Sequence, residues 1–167
     1  MEQAIISGIA HDSSEAKLTV HGVPDTPGVA AALFERLADG GVNVDMIVQN
    51  VSHDGTTDIS FTVPKSHAES ALQVAGTLAD DLGAGGADID PNVGKVSLVG
   101  AGMKSHPGVA ARVFRSLADA DINVEMISTS TIRVSCIVRG EHLDAAVQAL
   151  HEEFNPPMIA PEVGADG

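Results

Sequence analysis

An internal repeat constrains the fold of this sequence more than any other feature. Residues 27–47 read PGVAAALFERLADGGVNVDMI, and residues 107–127 read PGVAARVFRSLADADINVEMI in the same register. The match continues upstream, where AKLTVHGVPDT aligns with GKVSLVGAGMKSH. It also continues downstream, where TTDISFTVP resembles TIRVSCIVR after a shorter hairpin. A repeat of this length predicts two copies of one structural unit within the 167 residues.

The first copy is expected to alternate strands and helices. Leu18 and Val20 alternate with polar residues, which is typical of a half-buried strand. Asp25 and Thr26 are N-cap residue types, and Pro27 suits the first position of a helix. The later predicted elements are a helix stop at Gly40-Gly41, strands Val42–Val51 and Thr57–Val63 joined by the turn SHDG, a helix over Ala68–Leu82 and a short strand near Ile89. This order is βαββαβ, the split βαβ pattern of ferredoxin-like folds.

The second copy repeats this order but ends early. Its predicted elements are strand Val96–Val99, helix Pro107–Ala120, strands Val124–Ser128 and Ile132–Val138, and a final helix carrying Leu143, Ala146, Val147 and Leu150. The tail NPPMIAPEVGADG has three prolines and is predicted to make a poor strand. We therefore expect the N-terminal segment AIISGIA, residues 4–10, to complete the second unit. The expected domains are residues 15–92 and residues 1–14 with 93–167, in an α/β (α+β) fold with antiparallel sheets and helices on one face.

The composition excludes several classes of function. The formal net charge is −14, and such a surface repels nucleic acid and anionic membranes. Cys136 is the single cysteine, which excludes an internal disulfide and predicts a buried thiol in an apolar strand. The start of the sequence has no basic and apolar leader, and no apolar run is long enough to span a bilayer, which predicts a cytoplasmic protein.

The candidate binding residues lie before the first helix of each copy, in Asp25–Ala30 and Ser105–Ala110. A helix N-terminus exposes backbone N–H groups and the positive end of the helix dipole, which suits a carboxylate. Gly28 and Gly108 would let a small ligand approach the backbone, and the Asp25 carboxylate could receive an ammonium group. An amino-acid zwitterion needs both features. In one copy alone a plain Pro-Gly helix start is the simpler interpretation, but retention in both copies favours binding.

Asn43 and Asn123, at the start of the next strand of each copy, form a second candidate pair. An amide can bind a carboxylate or an ammonium group, although a turn-favouring Asn is the simpler interpretation of either residue alone.

The other motifs give weaker indications of function. The segment GAG after the second-copy strand lacks the third glycine of a dinucleotide fingerprint, and the histidines lack metal-site spacing. Asp54 and Asp58 are interpreted as a solvated turn, and no catalytic residue is predicted.

The chain resembles the regulatory part of aspartokinase, a tandem pair of ACT domains, in the actinobacterial form that is also made as a separate β subunit. The segments that carry the resemblance cover most of the chain: MEQAIISGIAHDSSEAKLTVHGVPDTPGVAA, VNVDMIVQNVS, TDISFTV, GKVSLVGAGMKSHPGVAA and INVEMISTSTIRVS. The resemblance implies that a catalytic α subunit or domain phosphorylates aspartate with ATP and Mg, and that this chain has no catalytic activity or cofactor of its own. It also implies a homodimer through the ACT domains. L-threonine, and in many members L-lysine, would give feedback inhibition of lysine, threonine and methionine biosynthesis.

Effectors of this family bind between the first unit of one chain and the second unit of its partner. By resemblance, the first effector site comprises Asp25, Pro27, Gly28, Val29, Ala30 and Gln49 with Asn123, Val124 and Ser130. The pseudo-symmetric second site comprises Ser105, His106, Pro107, Gly108 and Ala110 with Asn43, Val44 and Asn50. Because Ser105 replaces Asp25 as the partner of the ammonium group, the first site is expected to be the better threonine site.

Two positions near the second site depart from the pattern of the relatives. Ala110 stands where Thr is common, and Thr131 stands where an acid is common. Losing a hydroxyl or a charge there would remove about 1–3 kcal/mol of ligand interaction. Three alternatives remain open: a free-standing ACT-type sensor that acts on another partner, a small ferredoxin-like enzyme, and a purely structural dimerisation module.

Overall fold

A computed structural model of the chain describes residues 5–51, 54–102, 108–156 and 159–161. The chain divides into two compact units. Glu15–Pro91 form the first, called the continuous unit here. The second, called the split unit, combines the N-terminal segment up to Ser14 with the residues from Asn92 onward.

The helices and strands follow the order that the repeat predicts. In chain order they are β1 (Ile5–Asp12), β2 (Glu15–Pro24), α1 (Val29–Asp39), β3 (Ile47–Gln49), β4 (Thr56–Pro64), α2 (Ala68–Asp81), β5 (Ala87–Asp90), β6 (Val93–Ala101), α3 (Gly108–Asp119), β7 (Met126–Thr129), β8 (Arg133–Arg139), α4 (Leu143–Phe154) and β9 (Ile159–Pro161). A single turn of 3-10 helix precedes both α2 and α4. None of the helices within the described ranges is long and apolar enough to cross a membrane.

The continuous unit has a four-stranded sheet in the order β3-β4-β2-β5, in which every neighbouring pair is antiparallel. Alternate residues of β2 are buried, because successive side chains of a strand point to opposite faces. One cluster of apolar side chains joins the sheet to α1 and α2, and it includes Leu18, Val20, Leu33, Leu37, Ile59, Phe61, Ala75 and Leu78. The predicted antiparallel fold with helices packed on a sheet is thereby confirmed for this unit.

The split unit has a five-stranded sheet in the order β7-β8-β6-β1-β9. β1 pairs antiparallel with β6, from Ile5 opposite Ala101 to Asp12 opposite Lys95. It takes the place beside β6 that β5 takes beside β2 in the continuous unit. A separate apolar cluster, with members on β1, β6, β8, α3 and α4, forms the core of this unit.

The tail, which is predicted to make a poor strand, contains a short one. Ile159–Pro161 form β9, which pairs parallel with β1. Proline is tolerated there because β9 is the outermost strand of the sheet, where an N–H group facing away from β1 has no strand to bond. The tail therefore adds a strand outside β1 rather than replacing it.

The strand after each first helix is shorter than predicted. The expected strand Val42–Val51 is reduced to Ile47–Gln49, and the expected strand Val124–Ser128 begins only at Met126. The reason is local hydrogen bonding. The N–H of Val42 caps α1 by bonding the carbonyl of Leu37 at 2.9 Å, so it cannot join a sheet. The N–H of Met46 bonds the hydroxyl of Thr62 at 3.0 Å rather than a strand carbonyl.

Candidate ligand-binding site

The segment before α1 is a tight turn rather than the first turn of the helix. The carbonyl of Thr26 accepts the N–H of Val29 at 3.4 Å, and Gly28 has φ 95° and ψ −14°. Proline followed by a glycine with positive φ is the pattern of a type II turn. The helix therefore begins at Val29 with Gly28 as its N-cap. The predicted start, with Asp25 or Thr26 as N-cap and Pro27 in the first helical position, is wrong because the turn uses Pro27.

This turn leaves an accessible backbone surface. The first helical hydrogen bond runs from the N–H of Ala32 to the carbonyl of Gly28 at 3.0 Å. The N–H groups of Ala30 and Ala31 precede it and have no acceptor inside the helix. Asp25 and Gly28 are exposed, and a Cβ atom on Gly28 would meet nothing within 4 Å. A small carboxylate could therefore reach these N–H groups without displacing a side chain.

The β3–β4 hairpin lies at the same end of the continuous unit as this turn. The N–H of Asp25 donates to the carbonyl of Gly55 at 2.9 Å. Gln49 is exposed and pairs with the buried Ile59, so its side chain is on the face of the sheet that the helices cover. Asn50 follows it, and its carbonyl accepts the hydroxyl of Thr57. The turn, Gln49 and Asn50 are thus gathered at one end.

Asn43 and Val44 lie at the opposite end of the continuous unit. They follow the end of α1, and the next N–H, that of Asp45, donates to the carbonyl of Thr62 near the far end of β4. Asn43 is exposed and Val44 is half-buried. Asp45 bonds Thr62 and Gln49 pairs with Ile59, so the length of β3 separates Asn43 from Gln49. Within one unit, the asparagine and the helix-start turn therefore cannot contact the same small molecule.

The split unit shows the same separation. Asn123 is exposed and Val124 is half-buried just before β7. Ser130 lies beyond β7, where its N–H donates to the carbonyl of Arg133 at 2.8 Å. The strand β7, four residues or roughly 13 Å of extended chain, lies between Asn123 and Ser130. The structure therefore places Asn123 and Ser130, which are both in the predicted first site, at opposite ends of β7.

The second helix-start turn is only partly described. Ser105, His106 and Pro107 lie outside the described residues. Gly108 is exposed at the start of α3, Ala110 is half-buried, and a Cβ atom on Gly108 would meet nothing within 4 Å. The described part of this turn is therefore as open as its counterpart.

A polar cluster near the first turn was not predicted. Asp58 is exposed but lies on β4 rather than in the turn: its Oδ1 accepts the N–H of Gly22 at 2.9 Å, and its Oδ2 lies 3.7 Å from Nδ1 of His21. The other ring nitrogen of His21 contacts Asp88. Only the register of β2 with β4 and β5 could reveal these contacts. Asp54 does cap its own turn, accepting the N–H of Thr56. Across the ranges that the structure describes, no group of histidine, cysteine and acidic residues is arranged to hold a metal ion.

Comparison with known proteins identifies relatives along nearly the whole chain. The ACT domain family model matches residues 17–77 and 96–154, one segment in each unit. An aspartate kinase of Stutzerimonas stutzeri is 54% identical over 154 residues, which are 92% of this chain and 37% of that protein. In a crystal structure of aspartokinase α and β subunits, one chain is 47% identical with a TM-score of 0.84, over 90% of this chain and 99% of that one. The ligand-free regulatory subunit of aspartate kinase from Thermus thermophilus is 39% identical with a TM-score of 0.85, over 89% of this chain and 98% of that one.

These relatives confirm the resemblance drawn from the sequence. The chain spans little more than a third of the curated relatives that it matches, 37% in each of the cases above 50% identity. It spans nearly all of the two subunit chains, which contain the same pair of repeats. The chain belongs to the ACT domain family, as a tandem ACT pair of the kind that forms the regulatory region of aspartokinases.

Proposed function

We propose that this chain is the feedback sensor of an aspartokinase and binds L-threonine, which then lowers the rate of aspartate phosphorylation by the catalytic α subunit or domain. L-lysine is the second effector of the proposal. The observation that carries it is the exposed turn before α1. A glycine in the left-handed region, unused helix N–H groups and the Asp25 carboxylate are adjacent there. The names of the relatives, which are aspartokinases and their subunits, support this choice of partner.

The turn offers both groups that a free amino acid needs. The N–H groups of Ala30 and Ala31 would bind the α-carboxylate, helped by the positive end of the helix dipole. The exposed carboxylate of Asp25 would receive the ammonium group in a charge-assisted hydrogen bond. Gln49, at the same end of the unit, carries an amide that can donate to and accept from a threonine hydroxyl.

The other wall of the pocket would come from a second copy of the chain. β3 and β7 are outer strands of their sheets, and an outer strand presents unpaired backbone N–H and C=O groups. Large apolar side chains are exposed near these edges. In the continuous unit they are Ile47 at 53% and Val51 at 86%, and in the split unit Ile132 at 56%. Pairing β3 of one copy with β7 of another would bury such surface, which monomers rarely leave exposed in patches.

An antiparallel pairing would decide which residues share a pocket. It would relate the two repeats by a pseudo-two-fold axis, and a closed homodimer would form the contact twice, with β3 of each copy against β7 of the other. The Gln49 end of β3 would then meet Asn123 and Val124 and complete the Asp25 pocket. The opposite ends would join the Gly108 turn to Asn43 and Val44. In this arrangement Ser130 belongs to the second pocket and Asn50 to the first.

Titration calorimetry with L-threonine and L-lysine, each alone and together, tests the proposal. Threonine at a hundred times its Kd is expected to raise the free energy of unfolding by about 2.7 kcal/mol. Asp25→Asn is expected to weaken threonine binding about tenfold, because it removes a charged hydrogen-bond acceptor. Asp39→Asn, at the other end of α1, is the matched control. No heat and no change in melting temperature at millimolar threonine or lysine would overturn the proposal.

Sedimentation velocity tests the edge pairing separately. Ile47→Lys places a charge on the β3 edge and is expected to prevent both dimerisation and threonine binding. Glu69→Lys, on α2, adds positive charge away from that edge and is expected to leave both unchanged. A dimer that survives Ile47→Lys with unchanged threonine affinity would contradict the edge pairing. The calorimetry would still decide whether threonine binds.

A further inference from the structure

The split unit contains an ion pair with no equivalent at the matching positions of the continuous unit. Nε of Arg139, at the end of β8, lies 3.3 Å from Oε2 of Glu125, just before β7. This is an ion-pair distance rather than an aligned hydrogen bond, and water reaches neither atom. The repeat aligns Glu125 with Asp45 and Arg139 with Pro64. Because proline carries no charge, the pair cannot form there.

Arg139 also contacts the point where the chain passes from the continuous unit into the split unit. Its Nη2 donates to the carbonyl of Asn92, and the N–H of Gly140 donates to the same oxygen at 2.8 Å. Asn92 is the first residue of the split unit after Pro91. One arginine side chain therefore joins this crossover to Glu125.

Glu125 directly follows Asn123 and Val124, the residues of the proposed threonine pocket. Its N–H donates to the carbonyl of Ile137 at 2.8 Å, so backbone and side chain are both held to β8. The side chains of Arg139 and Glu125 are 34% and 17% exposed, but the two facing atoms are shielded from water. A shielded pair resists separation more than one at the surface. A displacement of Asn123 or Val124 would therefore pull against Arg139.

We infer that Glu125 and Arg139 are positioning residues for the threonine pocket, which hold Asn123 and Val124 in place and connect them to Asn92. The inference rests on the proposed function for the identity of the ligand, while the contacts stand without it. A shift of the pocket wall on effector binding would be transmitted through Arg139 to the crossover. Pro64 cannot form this ion pair at the aligned position of the continuous unit. Only the pocket wall of Asn123 and Val124 would therefore be linked in this way to Asn92.

Amide hydrogen exchange of the ligand-free chain and threonine titration test the inference together. Arg139→Gln is expected to speed exchange about tenfold at the N–H groups of Glu125 and Gly140, of which the second donates to the carbonyl of Asn92. It is also expected to raise the threonine Kd about five- to tenfold, the lower range of allosteric coupling. Arg139→Lys keeps the charge and should recover part of both. Arg115→Gln removes the exposed pair of Arg115 with Asp119, 3.5 Å apart, and serves as the matched control that changes neither.

A double-variant cycle separates positioning from simple loss of stability. If the two side chains act as one pair, Glu125→Gln combined with Arg139→Gln should weaken threonine binding no more than the worse single variant. Independent, additive losses would overturn the inference, as would unchanged exchange at Glu125 in Arg139→Gln. Exchange that rises equally throughout the split unit would show a merely structural role and overturn it too. If the wild-type chain binds no threonine, the proposed function fails, and the exchange at Glu125 and Gly140 still decides the positioning role.

Discussion

Nε2 of His21 lies 2.6 Å from Oδ2 of Asp88, on the strand β5 beside β2. The hydrogen bond with Asp88 is the largest influence on the ring and raises the pKa of His21, with support from the charges of Asp88 and Asp58 and against the effect of desolvation. His21 lies in the irregular part of β2 that leads to the Asp25 turn. His21 therefore titrates on the strand that leads into the candidate site.

Stability is expected to fall as the pH rises through the titration of His21. The pKa of His21 is higher in the folded chain than its ordinary value of 6.5. Its contribution to the free energy of unfolding is therefore fully present below pH 6.5 and is lost as the pH rises above the folded pKa. The effect should be small, since the side chain is 43% exposed. Urea unfolding of wild type and Asp88→Asn on both sides of neutral pH should give a difference that shrinks as pH increases.

The control for this pH dependence is Asp81→Asn. It removes a partner of Arg36, 3.0 Å away on α1, in an exposed pair that contains no histidine. The difference in the free energy of unfolding between Asp81→Asn and wild type should stay constant over the same pH range. A difference between wild type and Asp88→Asn that grows with pH would contradict the assignment to His21.

Asp121 is expected to limit the stability of the split unit, and Asp121→Gly to relieve it. The helices α1 and α3 end in the same way, with N–H groups folded back onto the last turn, but Gly41 has φ 75° where Asp121 has φ 59°. A residue with a Cβ atom is strained in the left-handed region, so glycine should stabilise by about 0.5–1 kcal/mol after its own entropy cost. Chemical denaturation measures this. The reverse change, Gly41→Asp, should destabilise, and a stability gain from it would contradict the explanation.

The order of helices and strands could be predicted from the sequence because periodicity and repetition act over short distances. The start of α1 could not, since Pro27-Gly28 fits both a helix start and a type II turn, and only the positive φ of Gly28 distinguishes them. The position of the short tail strand could not be predicted either, because three prolines argue against a strand unless its place at the sheet edge is known.

The residue types of the candidate site could be predicted from the sequence. Which of these residues lie close together could be predicted less well. Asp25 and Gly28 lie in one exposed turn, as the repeat suggests. The separation of Ser130 from Asn123 depends on where β7 begins and ends, which the apolar pattern placed too early. The contact of Arg139 with Glu125 requires the register of β7 against β8, and no local pattern in the sequence contains that information.

Gly28→Ala is expected to destabilise the chain by about 1–2 kcal/mol and to weaken threonine binding. The cost comes from the backbone alone, because φ is 95° and a Cβ atom would find open space. Gly76→Ala in α2 is the matched control: it also has open space but an ordinary φ, so alanine should stabilise by about 0.5–1 kcal/mol. Thermal unfolding and calorimetry measure both. A Gly28→Ala chain as stable as wild type would contradict the turn geometry.

The thiol of Cys136 should react with alkylating reagents only when the split unit opens. The side chain is 1% exposed within the core cluster of that unit, and burial raises its pKa to about 11. At that pKa about one thiol in a thousand is ionised at pH 8, and the thiolate is the reactive form. We expect the labelling rate in native buffer to be lower by several orders of magnitude than in urea, and to rise in step with the fraction unfolded. Rapid labelling of the native chain, in amounts independent of urea, would show that Cys136 is accessible and would contradict its place in the core.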